Sequence, residues 1–255
     1  TGRVQVAPAA AGDGGAGRSP PARRAGPLAA CGARPPPPAA GPRAVAEPAW
    51  REGPFRRRDE AYTEQARGLL DGGADILLIE TVFDTLNAKA ALYAIDTLCA
   101  ERGQRVPVMV SGTLADASGR TLSGQTVEAF AVSVSHAHLL SVGLNCAYGA
   151  RQLLPYLERL AAVAGVRVSA HPNAGLPNVM GGYDETPAMF ADDVGESTPR
   201  ALVNLAAGCG ATTPAHIFEL SQLLRGYPPR PLAAPPATPR PGGSASHPCL
   251  PPPHV

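Results

Sequence analysis

The chain has 255 residues, with 29 prolines, 28 glycines and a formal net charge of +1. Its arginines gather in the Pro-rich ends rather than along a helix face, which argues against a nucleic-acid partner. No apolar run approaches the ~20 residues of a bilayer span, and the start lacks a charged-then-apolar signal pattern, so no membrane partner is expected.

From Thr1 to about Pro54 the sequence is Pro, Gly, Ala and Arg, including the run Pro35 to Pro38. It offers almost no spaced aliphatic residues to offset ordering entropy, so residues 1–54 are expected to be disordered. The chain opens on Thr1 rather than Met, which suggests a fragment or a processed product. Residues 55–226 form the expected folding unit. That is short for a closed eight-stranded α/β barrel of ~250 residues. Residues 227–255 repeat the Pro-rich character in YPPRPLAAPPATPRPGGSASHPCLPPPHV and are read as a second disordered tail.

Within the folding unit, amphipathic helical stretches alternate with short apolar runs, the pattern of parallel βα units. Strands are predicted at Asp75 to Ile79, Pro107 to Ser111, Leu139 to Leu144, Val166 to Ala170 and Ala201 to Leu205. Their nearly continuous Val, Ile and Leu content implies burial of both faces. Helices are predicted at about Glu60 to Leu70, Thr85 to Ala100, Gln125 to Val134, Ala150 to Ala164 and Pro214 to Leu224. Between Pro187 and Ala201 the crossover helix is poorly encoded, because Gly195 and Pro199 interrupt it.

Each predicted strand ends in a polar, Gly-bearing sequence, and in parallel α/β architectures that carboxyl end is where sites are built. Cys146 and Cys209 each follow a strand closely, so two distant thiols can meet there. Closely spaced cysteine pairs of a structural zinc site are missing, so the pattern suits an open catalytic metal site; the alternative is that both are small buried hydrophobes, as Cys99 is read to be. All five cysteines, Cys31 and Cys249 included, are widely scattered in a chain too long to need disulfide staples, and a reducing, cytoplasmic setting is expected.

Glu80 closes an apolar strand and is either a clamp for a substrate ammonium or an acid favoured by the macrodipole of the next helix. Asn145 either binds ligand polar atoms or holds its own loop. His171 opens the stiff loop HPNAGLPN and is a weaker metal-ligand candidate. The hydroxyl-rich stretch SGRTLSGQT, Ser118 to Thr126, could take an anion at a helix start, but lacks the Gly-Lys-Ser/Thr ending of a phosphate loop.

The segments ILLIETVFDTLNAKAAL, VSGTLADASGRTLSGQTVEAF, GLNCAYGA, HPNAGLPN, GGYDETP and Cys209 to Pro214 together resemble the homocysteine-binding domain of cobalamin-dependent methionine synthase. The resemblance covers roughly Asp59 to Leu224. It implies an incomplete TIM-type barrel of about five parallel βα units, and a zinc ion held by three thiolates that binds homocysteine sulfur. It further implies Cys146 and Cys209 as metal ligands, with Glu80 and Asn145 contacting the amino-acid end of homocysteine. Methylcobalamin would be the methyl donor only if another domain or chain supplied it, which makes folate- and cobalamin-binding modules expected partners.

Two departures accompany these matches. The family reads Gly-Gly-Cys-Cys-Gly-Thr-Thr-Pro where this chain reads Ala207-Gly208-Cys209-Gly210-Ala211-Thr212-Thr213-Pro214, so the third ligand position is Gly210, which has no donor atom. Nothing in the sequence singles out His171 or Cys249 as a replacement. The family's first three strands also lack a counterpart in Thr1 to Pro54. Two functions therefore stand: a homocysteine S-methyltransferase module that yields methionine, or a non-catalytic barrel remnant or mis-joined gene product with no activity of its own.

Overall fold

The computed structural model describes residues 3–6, 55–176 and 178–232. After β1 (Arg3–Val6) come α1 (Phe55–Asp71), β2 (Leu77–Val82), α2 (Thr85–Arg102), β3 (Val108–Gly112) and α3 (Val127–Val134). They are followed by β4 (Leu139–Gly149), α4 (Ala150–Val163), β5 (Arg167–Asn173), α5 (Pro187–Gly195), β6 (Leu205–Ala206) and α6 (Pro214–Leu224). The sheet order is β1-β2-β3-β4-β5-β6. β2 to β6 run parallel, and β1 pairs antiparallel with β2, Arg3 facing Glu80. The parallel strands never reverse their order, as they would in a doubly wound sheet. This is an α/β fold forming part of a TIM-type barrel.

The two faces of the sheet differ in chemistry because successive strand residues point to opposite sides. One face carries Ile79, Val110, Val142, Leu144, Val168 and Ala170, which pack into a single core with Tyr62 of α1, Ile95 of α2, Phe130 of α3 and Leu157 of α4. The other carries Glu80, Ser111, Ser141, Asn145, Ser169 and His171, all buried. The predicted burial of both faces holds, but the inner face is polar. Ser141 and Ser169 are hydrogen-bonded across β4 and β5. The strands meet closely there: a Cβ at Gly143 would lie 2.1 Å from Ser169 Oγ, which only glycine avoids.

Four predicted helices match within two residues, and α1 begins five residues before its predicted start. The crossover read as poorly encoded is α5, because Pro187 sits in its first turn, where a missing N–H costs nothing, and Thr186 caps it by accepting from Met189 N–H. The strand predicted at Ala201 to Leu205 is corrected to Leu205–Ala206. Residues 196–201 continue the end of α5 as turns, with bonds from Thr198 N–H to the Gly195 carbonyl and from Ala201 N–H to that of Thr198. Local turn bonding thus takes the backbone groups a longer strand would need.

Two segments read as disordered contain ordered residues. Arg3–Val6 forms β1, while the remainder of residues 1–54 lies outside the described residues. In the tail, residues 227–232 are described and 233–255 are not. Arg230 is buried, its guanidinium donating to the carbonyls of Ala161, Ala164 and Val166, and its own carbonyl accepting from Asn204 Nδ2. Burial lowers its pKa. It ties the end of α4 to the start of β5. Arg230→Ala removes the donor from three carbonyls, that of buried Ala164 among them, and is expected to cost about 2–3 kcal/mol in urea unfolding. An unchanged midpoint would show the staple to be dispensable.

Candidate functional site

Four of the residues singled out by sequence reach the carboxyl end of the parallel strands. Glu80 lies within β2, two residues before the strand's end at Val82. The N-cap of α2 is Asp84, whose side chain accepts from Leu86 N–H at 2.6 Å. Glu80 is buried, on the face opposite Ile79.

Asn145 is fully buried in β4 and joins three strands. Its Oδ1 accepts from Ser111 Oγ at 2.7 Å and from Thr81 N–H at 3.1 Å. Its Nδ2 donates to Thr81 Oγ1 at 2.8 Å and to Cys146 Sγ at 3.3 Å, with Cys209 Sγ at 3.9 Å. Asn145 therefore sets the spacing of the whole edge. Thr81 and Ser111, its two oxygen partners, were not singled out by sequence. They are common residue types, and their role depends on strand pairing between positions 64 and 34 residues from Asn145.

The backbone is irregular where these side chains meet. Register shifts interrupt β2 between Ile79 and Val82 and β4 between Asn145 and Gly149. Thr81 (φ 60), Cys146 (φ 55), Ala147 (φ 61) and Ala211 (φ 63) occupy the left-handed region. For a β-branched residue such as Thr81 this is a genuine outlier, and each such residue costs about 1–3 kcal/mol. Bulges of this kind re-aim side chains beside active sites. Here they turn Cys146 toward Cys209.

Cys209 arrives from the other side. Its N–H donates to the Pro172 carbonyl, and its own carbonyl accepts from both Thr212 N–H and Thr212 Oγ1. This tight turn precedes α6, where Thr213 and His216 cap each other reciprocally and Pro214 occupies the first turn. Cys146 and Cys209, 63 residues apart in sequence, are joined as a disulfide with a Cα–Cα distance of 5.8 Å. Cys209 is buried and Cys146 half-buried.

The zinc that the sequence resemblance implies would need three protein ligands and one open position at a catalytic centre. Two sulfurs are supplied. Gly210 has no side chain, its N–H donates to Asn173 Oδ1 at 2.9 Å, and its carbonyl accepts from Ala174 N–H. Among the described residues no group of three or more His, Cys, Asp or Glu converges to hold a metal. His171 thus completes no such group, and Cys249 lies outside the described residues. The donor set does not fit a retained zinc ion, and no chemical step is drawn through one.

His171 pairs in register with Asn145, and burial pushes its pKa down to about 4. Its imidazole is neutral at pH 7. A histidine resisting protonation in the fold, with an unfolded value near 6.5, gives stability that is complete above pH about 6.5 and lost as pH falls toward 4. Unfolding of wild type against His171→Gln should therefore converge by about 2 kcal/mol between pH 7 and pH 5. A constant gap over that window would mean that His171 protonates freely.

The hydroxyl-rich stretch after β3 is engaged with itself and its neighbours. Ser123 donates to the Phe83 carbonyl, Thr121 Oγ1 accepts from Gln125 N–H, and Thr126 caps α3 through Ala129 N–H. Those hydroxyls tie the loop to the helix starts. The HPNAGLPN loop is organised by Asn178, whose Oδ1 accepts from Met180 and Gly182 N–H groups and whose Nδ2 donates to Asp184. Among the described residues, no helix is long and apolar enough to cross a membrane.

The homocysteine S-methyltransferase family model matches residues 6–224. Among solved structures, the apo form of the homocysteine methyltransferase MmuM from Escherichia coli is similar at 20% identity and a TM-score of 0.53, covering 66% of this chain and 57% of that one. The metallated form of the same enzyme gives 22% identity and a TM-score of 0.48, covering 68% of this chain and 57% of the other. The chain thus spans just over half the length of these enzymes.

Proposed function

The chain belongs to the homocysteine S-methyltransferase family, and from that premise we propose that its carboxyl edge is a homocysteine site whose bound sulfur accepts a methyl group to give methionine. The observation that carries this reading is the meeting of Cys146, Cys209 and Asn145 at one edge, held there by a strained backbone. Strain of this kind persists only where the surrounding structure over-determines it, and it clusters at functional sites.

In this reading the substrate's ammonium group pairs with the Glu80 carboxylate, which β2 carries on the buried polar face of the sheet. Its sulfur lies beside the two cysteines, where the Asn145 amide presents an N–H. A thiol with a pKa of about 8.5 is mostly protonated at neutral pH, and only its thiolate attacks well, so a donor facing the sulfur favours the reactive form. Asn145 acts by positioning: it holds Thr81 and Ser111 and so keeps β2, β3 and β4 in the register that puts Glu80 on the same buried face as Asn145. In the family resemblance zinc supplies the thiolate; with Gly210 at the third position, Cys146 and Cys209 would hold it weakly. The methyl donor comes from another module, methylcobalamin on a cobalamin-binding domain being the one implied, with a folate-binding module as its source of methyl groups.

A second reading is favoured by Gly210 and the two-donor set: a non-catalytic barrel remnant, including the case of a mis-joined gene product. Calorimetric titration of the reduced full chain with L-homocysteine, with and without added zinc, separates the two. Saturable homocysteine binding, with little change on adding zinc, is the expected result. A reduced, folded chain that takes up neither ligand would leave only the remnant.

A further inference from the structure

The two cysteines lack what a retained metal needs and have what a dithiol couple needs. Their Cα atoms are 5.8 Å apart, inside the ~4.4–6.8 Å that a disulfide bridges without backbone movement. The position that would hold a third thiolate is Gly210, and among the described residues no third donor joins them. We propose that Cys146 and Cys209 form a thiol–disulfide exchange couple for a small aminothiol, which on the reading above is homocysteine, rather than a metal centre.

The two ends of the couple differ in access. Cys209 is 3% exposed, and its backbone is held by Pro172 and Thr212. Cys146 is half-buried at the same edge. The thiolate of the small molecule therefore attacks Cys146 Sγ. The bond between the two protein sulfurs breaks, and its electron pair leaves on Cys209 Sγ, which lies 3.9 Å from the Asn145 amide nitrogen. The incoming sulfur is now in a mixed disulfide with Cys146. A second small thiolate attacks the small-molecule sulfur of that mixed disulfide, and Cys146 leaves as a thiolate. Two aminothiols have been oxidised to one small-molecule disulfide, the protein disulfide has been reduced, and the two thiol protons end on Cys146 and Cys209. In reverse, the small-molecule disulfide is the oxidant. While the protein disulfide stands, neither cysteine can meet a substrate sulfur as a thiolate, so methyl acceptance requires the reduced couple.

The test equilibrates the full chain with homocysteine and homocystine in varied ratio, quenches with an alkylating reagent, and reads each cysteine by peptide mass spectrometry. Cys146 and Cys209 should lose alkylation together in one transition, while Cys99, a free buried cysteine, stays unchanged. In Cys209→Ser, the homocysteine adduct should accumulate on Cys146 at least about tenfold more than on Cys209 in Cys146→Ser, following exposure of the attacked sulfur. Both residues remaining alkylatable under excess homocystine, a measurement that needs no variant, would overturn the couple. Equal adducts on the two sulfurs would overturn the order of attack. A couple that titrates with glutathione disulfide, in a chain whose reduced form binds no homocysteine, would keep the exchange site and remove the homocysteine reading.

Discussion

Asn145→Leu is expected to lower the unfolding free energy by about 3–5 kcal/mol and to abolish homocysteine binding. Leucine keeps the volume of the side chain and removes every polar atom. Ser111 Oγ and Thr81 N–H lose the Oδ1 acceptor, and Thr81 Oγ1 loses its amide donor, in a place where Asn145 itself has no exposed surface. Each buried group left unpaired costs about 1–3 kcal/mol. Thr81, held at a φ of 60, is also released toward the extended region a β-branched residue prefers. Asn145→Asp separates the two effects. It keeps an acceptor for Ser111 and Thr81 N–H while replacing the amide donor beside both sulfurs with a carboxylate, so its fold should survive better than its ligand binding. Urea unfolding and calorimetric titration of the two variants are the measurements. A loss under about 1 kcal/mol for the leucine variant would show that the three strands do not depend on this side chain.

Gly210→Cys should convert a chain that loses zinc on dialysis into one that retains it, with affinity raised more than about 100-fold, above the usual cost of losing an outer-shell partner. The geometry sets a condition. A Cβ at Gly210 would lie 2.9 Å from Asn173 Oδ1 and 3.3 Å from its Cγ, so Asn173 must rotate and give up its bond to the Gly210 N–H. Loss of that bond should cost the metal-free variant about 1 kcal/mol, which bound zinc offsets. Metal content after dialysis, together with the change in melting temperature on adding zinc, reads both terms. A folded variant that gains no zinc would show that the edge does not place a third sulfur next to Cys146 and Cys209, and would count against the three-thiolate ancestry.

Much of the fold was legible because its signals are local. Apolar runs bounded by polar, Gly-bearing segments placed β2 to β5, and helical periodicity placed α1 to α4 and α6. The misplaced elements are those whose local signals conflict: Gly195 and Pro199 read as breakers of the crossover, yet α5 ends at Gly195 and Pro199 lies beyond it, and Ala201 to Leu205 is apolar enough for a strand although only its last residue joins β6. Arg230 sits in a Pro-rich run with nothing nearby to announce burial. Its partners are carbonyls 64 to 69 residues earlier.

The candidate site divides the same way. From the residues alone came the carboxyl edge as the place to look, together with Glu80, Asn145, Cys146 and Cys209, while the missing donor at Gly210 came from the family resemblance. Composition and periodicity reveal which side chains each strand end carries, because those follow from neighbours a few positions away. Only the tertiary structure decided that Asn145 reaches Thr81 and Ser111, that Thr81, Cys146 and Ala147 adopt left-handed backbone, and that two sulfurs 63 residues apart touch. Those features are set by which strands pair and in what register, and that choice is made by burying a shared core rather than by any one stretch of chain.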